Sequence, residues 1–430
     1  MSDIIVYGKG KTGQSLIKML QKLHRNAILY DDVTGFDGNG EFTQNCLVLL
    51  SPGVPPTAKG LLLSRERQAK VVGELEFCFP YCKGKCISVT GTNGKTTTCE
   101  MIYHVLRECG KSSRLLGNGG VPISSQVLDV QEDDIVVLES SSFQLLDCED
   151  FAPFVSVTTN LAMDHINYHG SFEQYARAKQ NNFIHQEKGY ALFNLDDGGA
   201  VGLSQSARCE RLFYSVSNSE ANCYYDGSNV VLRSDGQMTK VSAVFLSQFA
   251  KHNLSNALGA ILACVCVGVL PNQAVSALHS YRLLPHRLQQ VTTVCGVTFV
   301  DDSKATNVHA TVSALSCFSQ NLALVLGGSS KGESYDPIFE AVGENVKLIV
   351  AVGDTASDIQ STGKKYGIDV KIFDDFKQAT QYCFEQIKVI GGVVLMSNAC
   401  ASFDKFSGYN ERGDYFQKAV KEIQSGTETV

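Results

Sequence analysis

The 430-residue chain is 44% apolar and 19% charged, with a formal net charge of −7. This balance excludes a disordered polypeptide, and the length exceeds one ordinary hydrophobic core, so two or three domains are expected. The acidic charge and the lack of any Lys/Arg-rich block argue against a nucleic-acid surface, while small acidic ligands stay open wherever positive charge gathers in a cleft.

The fifteen cysteines fall in apolar segments (Cys264, Cys266, Cys295) without a regular framework, which fits reduced thiols in the cytoplasm. Cys82 and Cys86 form a lone CxxxC pair, too little for zinc. The opening MSDIIVYGKG has no signal-peptide pattern. The longest apolar run, residues 258–270, falls short of the roughly 20 residues that span a bilayer and reads as a buried helix.

Residues 1–85 read as a small Rossmann-like unit. DIIVYGKGKTGQSLIKML gives a strand, Gly8, Gly10 and Gly13 in GxGxxG register, and a helix carrying Leu16, Ile17, Met19 and Leu20. Later strands deliver Asp31 and Asp32, then Ser51, Pro52 and Gly53, to a carboxyl edge. A lone GxGxxG is equally compatible with tight strand-to-helix turns.

Residues 86–283 form a larger α/β unit around CISVTGTNGKTTTC. An apolar strand (Ile87, Val89) runs into a loop with Gly91, Thr92, Asn93 and Gly94, and Lys95, Thr96 and Thr97 open a helix. Glycines let backbone N–H groups close on phosphate oxygens, while the helix N-terminus and Lys95 add positive charge. The site therefore suits a polyphosphate, with the Thr96 hydroxyl available to Mg²⁺. The spacing is not a standard Walker A, because Val89 stands where its first glycine belongs.

The helix is expected to end at Gly110, and Asn118 lies in a Gly-rich turn. DIVVLESSSFQL ends its apolar run at Glu139, from which a carboxylate reaches either solvent or a metal. FVSVTTNLAMDH delivers Asp164 and His165 to a loop. A helix then opens at Ser171 with Gln174 completing a capping box, and it places Lys179 on the stripe of Phe172, Tyr175 and Phe183. Such a lysine either snorkels past the core edge or serves chemically. Residues 189–244 read as β-rich. HNLSNALGAILACVCVGVL sets Asn253 and Asn256 on the first turn of a long buried helix, where they either cap or read a nucleobase.

Pro285 marks the second boundary, and residues 284–430 alternate strands and helices as a second doubly wound unit. Its polar residues Asp302, Lys304, Thr306, Lys331, Ser402 and Lys405 gather at strand ends.

GTNGKTT, ESSSFQL, MDH, YARAK, HNLSNA, LPHR, DDSKATN, GGSSKG and SNACASFDKF occur in the order found in the Mur ligases. The whole chain resembles that family, and most of all its D-glutamate-adding branch. The resemblance implies three α/β domains: a Rossmann-like N-terminal domain for the UDP end of the substrate, a central P-loop-type ATPase domain with a mixed sheet, and a Rossmann-like C-terminal domain for the amino acid. It implies ATP, two Mg²⁺ ions, UDP-N-acetylmuramoyl-L-alanine and D-glutamate, acting in a cytoplasmic monomer with no membrane insertion. Gly10, Thr12, Asp31, Ser51 and Gly53 would contact UDP, and Asn118 and His165 the muramoyl side. Gly91 to Thr97 would hold ATP phosphates, and Asn256, Arg287 and Asp302 the rest of the nucleotide. Lys95, Glu139, His165 and Lys179 would be catalytic. Thr96, Glu139, His165 and Lys179 would serve the metals, Lys179 as a CO₂-derived carbamate. Lys304, Thr306, Lys331, Ser402 and Tyr409 would bind D-glutamate. Tyr409 departs from the familiar Phe, and Asp32-Val33 replace a Thr-Arg pair seen in one branch.

Other ligases of the superfamily, adding L-alanine, a diamino acid or a folate-linked glutamate, share this ATPase core. An NAD-dependent oxidoreductase is the different-class reading of GKGKTG, and a non-catalytic nucleotide-dependent module is a third. The first leaves GTNGKTT and Lys179 unexplained, and intact Lys95, Glu139, His165 and Lys179 argue against the second.

Overall fold

The computed structural model describes residues 4–37, 41–118, 120–234, 236–282 and 285–428. Three sheets carry the fold. The first contains β1 (Ile4–Tyr7), β2 (Ile28–Asp31), β3 (Gly35–Phe36), β4 (Leu47–Leu50) and β5 (Lys70–Gly73), in the order β3-β2-β1-β4-β5. All its pairings are parallel except β2 with β3. The Lys11–Lys22 helix crosses over from β1 to β2 and buries Leu16, Met19 and Leu20. A Cβ on Gly13 would lie 1.8 Å from the Gly8 carbonyl oxygen, so helix and strand meet backbone to backbone. This glycine serves the tight-turn reading of GxGxxG.

The second sheet holds β6 (Lys85–Thr90), β7 (Ser113–Gly117), β8 (Ile135–Glu139), β9 (Val155–Thr158), β10 (Tyr190–Asn194), β11 (Glu210–Ser215), β12 (Cys223–Tyr225), β13 (Asn229–Ser234) and β14 (Gln237–Ser242). Its order is β14-β13-β12-β11-β10-β9-β6-β8-β7. The run from β7 to β12 is parallel, and an antiparallel extension of β13 and β14 makes the sheet mixed. β8 and β9 are buried throughout, as expected for parallel strands covered on both faces, and β8 reads as an apolar run up to Glu139. The Lys95–Glu108 and Lys251–Cys266 helices pack on this sheet in one apolar cluster. A second cluster joins Ile4, Val6 and Met19 to Cys86, Val136 and Leu138, so the first two sheets share a core across residues 85 and 86.

The third sheet contains β15 (Gln289–Val294), β16 (Val297–Asp301), β17 (Leu322–Leu326), β18 (Val346–Val352), β19 (Val370–Phe373) and β20 (Gly392–Met396), ordered β15-β16-β20-β17-β18-β19. Only β15 with β16 is antiparallel.

The chain divides into two compact units. Residues up to Ala162 and Tyr168–Tyr281 form one, and Met163–Asn167 with residues from Arg282 onward form the other. The boundary expected between residues 283 and 284 lies outside the described residues. All fifteen cysteines are free thiols. Among the described residues no helix is long and apolar enough to cross a membrane.

Candidate active site

In the first unit, parallel register brings the chemistry to one edge. Val89 of β6 faces Glu139 of β8, Glu139 faces Gly117 of β7, and Thr90 faces Thr158 of β9. The loops that follow therefore share a single rim, the carboxyl edge where open α/β sheets bind ligands.

Gly91 has φ +146°, and a Cβ there would sit 1.9 Å from Thr159 Oγ1. No L side chain fits. Asn160 clamps the loop from the end of β9. Its Oδ1 accepts from Asn93 N at 2.8 Å, and its Nδ2 donates to Asn93 O at 3.0 Å. The Thr92 hydroxyl lies 3.0 Å from the Tyr175 hydroxyl. The helix beginning at Lys95 has no side-chain cap and no acidic residue in its first turn, which leaves its N-terminus open to an anion.

Two ammonium groups converge on one carbonyl. Lys95 Nζ donates to Gly91 O at 2.8 Å and to Thr92 O at 2.8 Å, and Lys179 Nζ donates to the same Gly91 O at 2.7 Å. Lys179 is 1% exposed and lies 4.7 Å from the centroid of the Tyr175 ring. It does not snorkel to solvent. Its side chain ends at the Gly91 carbonyl, and Ser171 caps its helix by accepting from Gln174 N at 3.2 Å. Only this half of the expected capping box forms there. The complete reciprocal box is at Ser141 and Gln144, where the Glu139 strand turns into the next helix.

Glu139 is 4% exposed, and its Oε1 accepts from Asn118 Nδ2 at 3.0 Å. Thr96 is half-buried on the first helical turn. Hard oxygen donors at a Gly-rich helix start fit Mg²⁺, which keeps water and phosphate oxygens in its shell and needs few protein ligands. Asn256 packs its carboxamide against Gly94, with Oδ1 2.5 Å from where a Cβ would be. Asn253 is 1% exposed with neither side-chain polar atom hydrogen-bonded. Neither Asn caps the helix, whose N-cap is Ala250. At the first sheet, Asp31 is half-buried and accepts from Val33 N at 3.0 Å. Asp32 instead accepts from Lys59 N and Gly60 N at 2.9 Å, bracing the next helix. Ser51 is buried against Gly8 O, whereas Gly10 and Gly53 are exposed and Thr12 is half-buried.

The second unit gathers a different set. His165 has φ +55°, and its Nε2 lies 3.6 Å from Asp164 Oδ2. Asp164 is 3% exposed, accepts from Asn307 Nδ2 at 3.0 Å, and has Lys331 Nζ at 3.8 Å. Burial, reinforced by the Asp164 charge, raises the Glu333 carboxyl above its usual range, while its bond from Val308 N opposes that. Asp302 accepts from Ser397 Oγ at 2.8 Å and Leu288 N at 3.2 Å. Burial pushes its carboxyl up to about 7, against these bonds and the nearby Arg287 charge. Lys304 lies 5.1 Å from the Tyr409 ring centroid, Thr306 is half-buried, and Ser402 is buried. Arg412 is fully buried and donates to Ser303 O at 2.8 Å and Cys400 O at 3.1 Å, tying these loops together.

Each unit thus carries its own part of the expected set. The first holds Gly91 to Thr97, Asn118, Glu139, Lys179 and Asn256, and the second holds His165, Arg287, Asp302, Lys304, Thr306, Lys331, Ser402 and Tyr409. Sequence reasoning missed the bracing residues Asn160, Asn307 and Glu333. The available signal was position, since Asn160 lies two residues after a buried strand and Asn307 precedes a helix as its N-cap.

Comparison with known proteins gives two domain matches, the Mur ligase middle domain over residues 89–264 and the Mur ligase glutamate ligase domain over residues 286–400. The UDP-N-acetylmuramoylalanine--D-glutamate ligase of Thermoanaerobacter sp. (strain X514) is 31% identical over 449 residues, covering 98% of each chain. The protein of the same name from Koribacter versatilis (strain Ellin345) is 34% identical over 393 residues, covering 91% of this chain and 86% of that one. Among solved structures, the MurF ligase of Thermotoga maritima in complex with ADP superposes with TM-score 0.61 at 18% identity, over 98% of this chain and 96% of that one. That last likeness is one of fold.

Proposed function

We propose, for an enzyme that belongs to the Mur ligase family, ATP-dependent addition of D-glutamate to UDP-N-acetylmuramoyl-L-alanine in peptidoglycan precursor synthesis, releasing ADP and phosphate. The observation that carries this reading is the convergence of Lys95 and Lys179 on the Gly91 carbonyl, beside an open helix N-terminus and a buried Glu139. Full-length similarity to ligases of that name supports the substrate pair.

In this reading the backbone N–H groups of Gly91 to Thr97 and the Lys95 ammonium cradle the ATP phosphates. The substrate carboxylate attacks the γ-phosphorus, the bond to ADP breaks, and an acyl phosphate forms. The amine of D-glutamate then adds to that carbonyl, and the tetrahedral intermediate collapses with loss of phosphate. Lys95 offsets charge on the transferring phosphoryl group, and positioning does the rest. Thr96, Glu139, His165 and Lys179 would hold two Mg²⁺ ions, which supply charge neutralisation when bound.

Lys179 takes part as a carbamate. Its ammonium loses one proton to give the amine, which adds to CO₂ and releases a second, so that one of two adjacent cations becomes an anion. The like-charge crowding at Gly91 O is thereby relieved. The carbamate nitrogen keeps one N–H for that carbonyl. Asn256, Arg287 and Asp302 hold the nucleotide, Gly10, Thr12, Asp31, Ser51 and Gly53 the UDP end, and Lys304, Thr306, Lys331, Ser402 and Tyr409 the D-glutamate.

The test is phosphate release from ATP with UDP-N-acetylmuramoyl-L-alanine, comparing D-glutamate, L-glutamate, L-alanine and meso-diaminopimelate. Release with D-glutamate alone is expected. Release with another amino acid instead would move the chain to a different branch, and none with any would reopen the substrate.

A further inference from the structure

In the second unit, the two carboxyls that face the charge of Lys331 are both anchored at the start of one helix, Val308–Leu315. Asn307 is its N-cap and does two things at once. Its Oδ1 accepts from Ala310 N at 2.8 Å, and its Nδ2 donates to Asp164 Oδ2 at 3.0 Å. One residue on, Val308 N donates to Glu333 Oε2 at 3.0 Å. Asn307 and Asp164 are 4% and 3% exposed. Their chemistry settles which way the amide of Asn307 points, because a helix N–H requires its oxygen and a carboxylate requires its N–H.

Asp164 belongs to the Met163–Asn167 segment that groups with this unit. Its Oδ1 accepts from His165 N at 2.9 Å, and Lys331 Nζ stands 3.8 Å from that same oxygen. The separation from Lys331 is too long for a hydrogen bond, so Asp164 Oδ1 fixes the position of the charge without taking an N–H of the ammonium. Donors at both of its oxygens hold the carboxylate back. A buried carboxylate that loses one donor turns to another, and a lysine ammonium on its flexible stem is free to meet it at about 2.8 Å. The Asn307 amide opposes that collapse.

We propose that Asn307 is a positioning residue for the amino-acid subsite: by holding Asp164 Oδ2 it keeps the Asp164–Lys331 pair open, so that the ammonium stays available to a carboxylate of the incoming amino acid. The identity of that carboxylate rests on the ligase reading, whereas the restraint on Asp164 does not.

The test separates this role from helix capping alone. Asn307→Ser keeps an oxygen for Ala310 N but is one atom shorter, and it leaves Asp164 Oδ2 without the amide donor. Asn307→Asp also caps, and it sets a second carboxylate against Asp164. In the full chain, acylation of Lys331 by acetic anhydride, read by mass spectrometry against the exposed Lys364, is expected to slow severalfold in Asn307→Ser and further in Asn307→Asp, as the ion pair closes. The KM for D-glutamate should rise about tenfold in Asn307→Ser, with the KM for ATP unchanged. Circular dichroism identifies a variant that misfolds, and the other then carries the same test. Lys331 acylation that is unchanged or faster in a folded variant overturns the proposal, and so does an unchanged KM for D-glutamate or an equal rise in the KM for ATP. Slowed acylation in variants of a chain that forms no amide with D-glutamate would leave the restraint standing and refute the ligase reading alone.

Discussion

The two units handle charge in opposite ways. In the first, the candidate site is a backbone device, in which Gly91 has no room for a Cβ and Asn160 holds Asn93 by both amide atoms. Its cations are aimed at carbonyl oxygens, and its buried carboxylate, Glu139, is held by the Asn118 amide. In the second unit the candidate site is built from carboxyls, the buried Asp164 and Asp302 and the half-buried Glu333, with Lys331 and Arg287 near them. A backbone cradle is insensitive to pH and intolerant of substitution. A set of buried acids tolerates isosteric change but responds to pH.

The largest effects should come from breaking the cradle. Gly91→Ala must displace Thr159 and adopt φ +146°, so ATP turnover should fall roughly 100-fold or more, with circular dichroism unchanged. Lys95→Ala should likewise abolish turnover of ATP. A turnover assay that finds either variant active would mean the loop does not hold the phosphates.

Next is Lys179→Ala, which should lose activity and regain part of it when short-chain carboxylic acids are supplied, because they restore an anion where the carbamate stood. Full activity without additive would eliminate the carbamate role.

The pH response should separate the units. Asp302 titrates near 7 in the folded chain and near 4 unfolded, so between these values the folded state holds the extra proton. Stability contributed by the neutral carboxyl is complete below about pH 4 and is lost as pH rises to about 7, an effect on the order of a few kcal/mol at most. The raised Glu333 adds in the same direction. Thermal melts from pH 5 to 8 should show the midpoint falling, and Asp302→Asn should flatten that slope. An unchanged slope in Asp302→Asn would show that other groups govern it.

The smallest effect is Ser171→Ala, which removes the N-cap of the helix carrying Lys179. It should cost about 1 kcal/mol in denaturant unfolding with kcat unchanged, since the Tyr175 ring and Gly91 O still hold the lysine. A large loss of kcat would show that the cap, and not these contacts, sets the position of Lys179.

Much of the first unit was legible because its signals are local. The strand into GTNGKTT, the apolar run ending at Glu139 and the stripe carrying Lys179 each depend on period and on residue type at fixed offsets, and the two strands lie where the pattern places them, while the helix carrying Phe172, Tyr175 and Lys179 ends at Gln180, before Phe183. The sequence by itself therefore determined the α/β alternation, the Gly-rich loop that opens a helix at Lys95, and the anomalous buried lysine. Other features required the tertiary structure. It joined the first two sheets in one core, completed a capping box at Ser141 instead of Ser171, and turned Asp32 to brace a helix while Asp31 stayed half-buried. It also set Lys179 on Gly91, 88 residues away in the chain, and Asn307 on Asp164, 143 residues away. Local pattern encodes which face of an element is buried, but not which distant group meets a side chain there, because that depends on strand order and register.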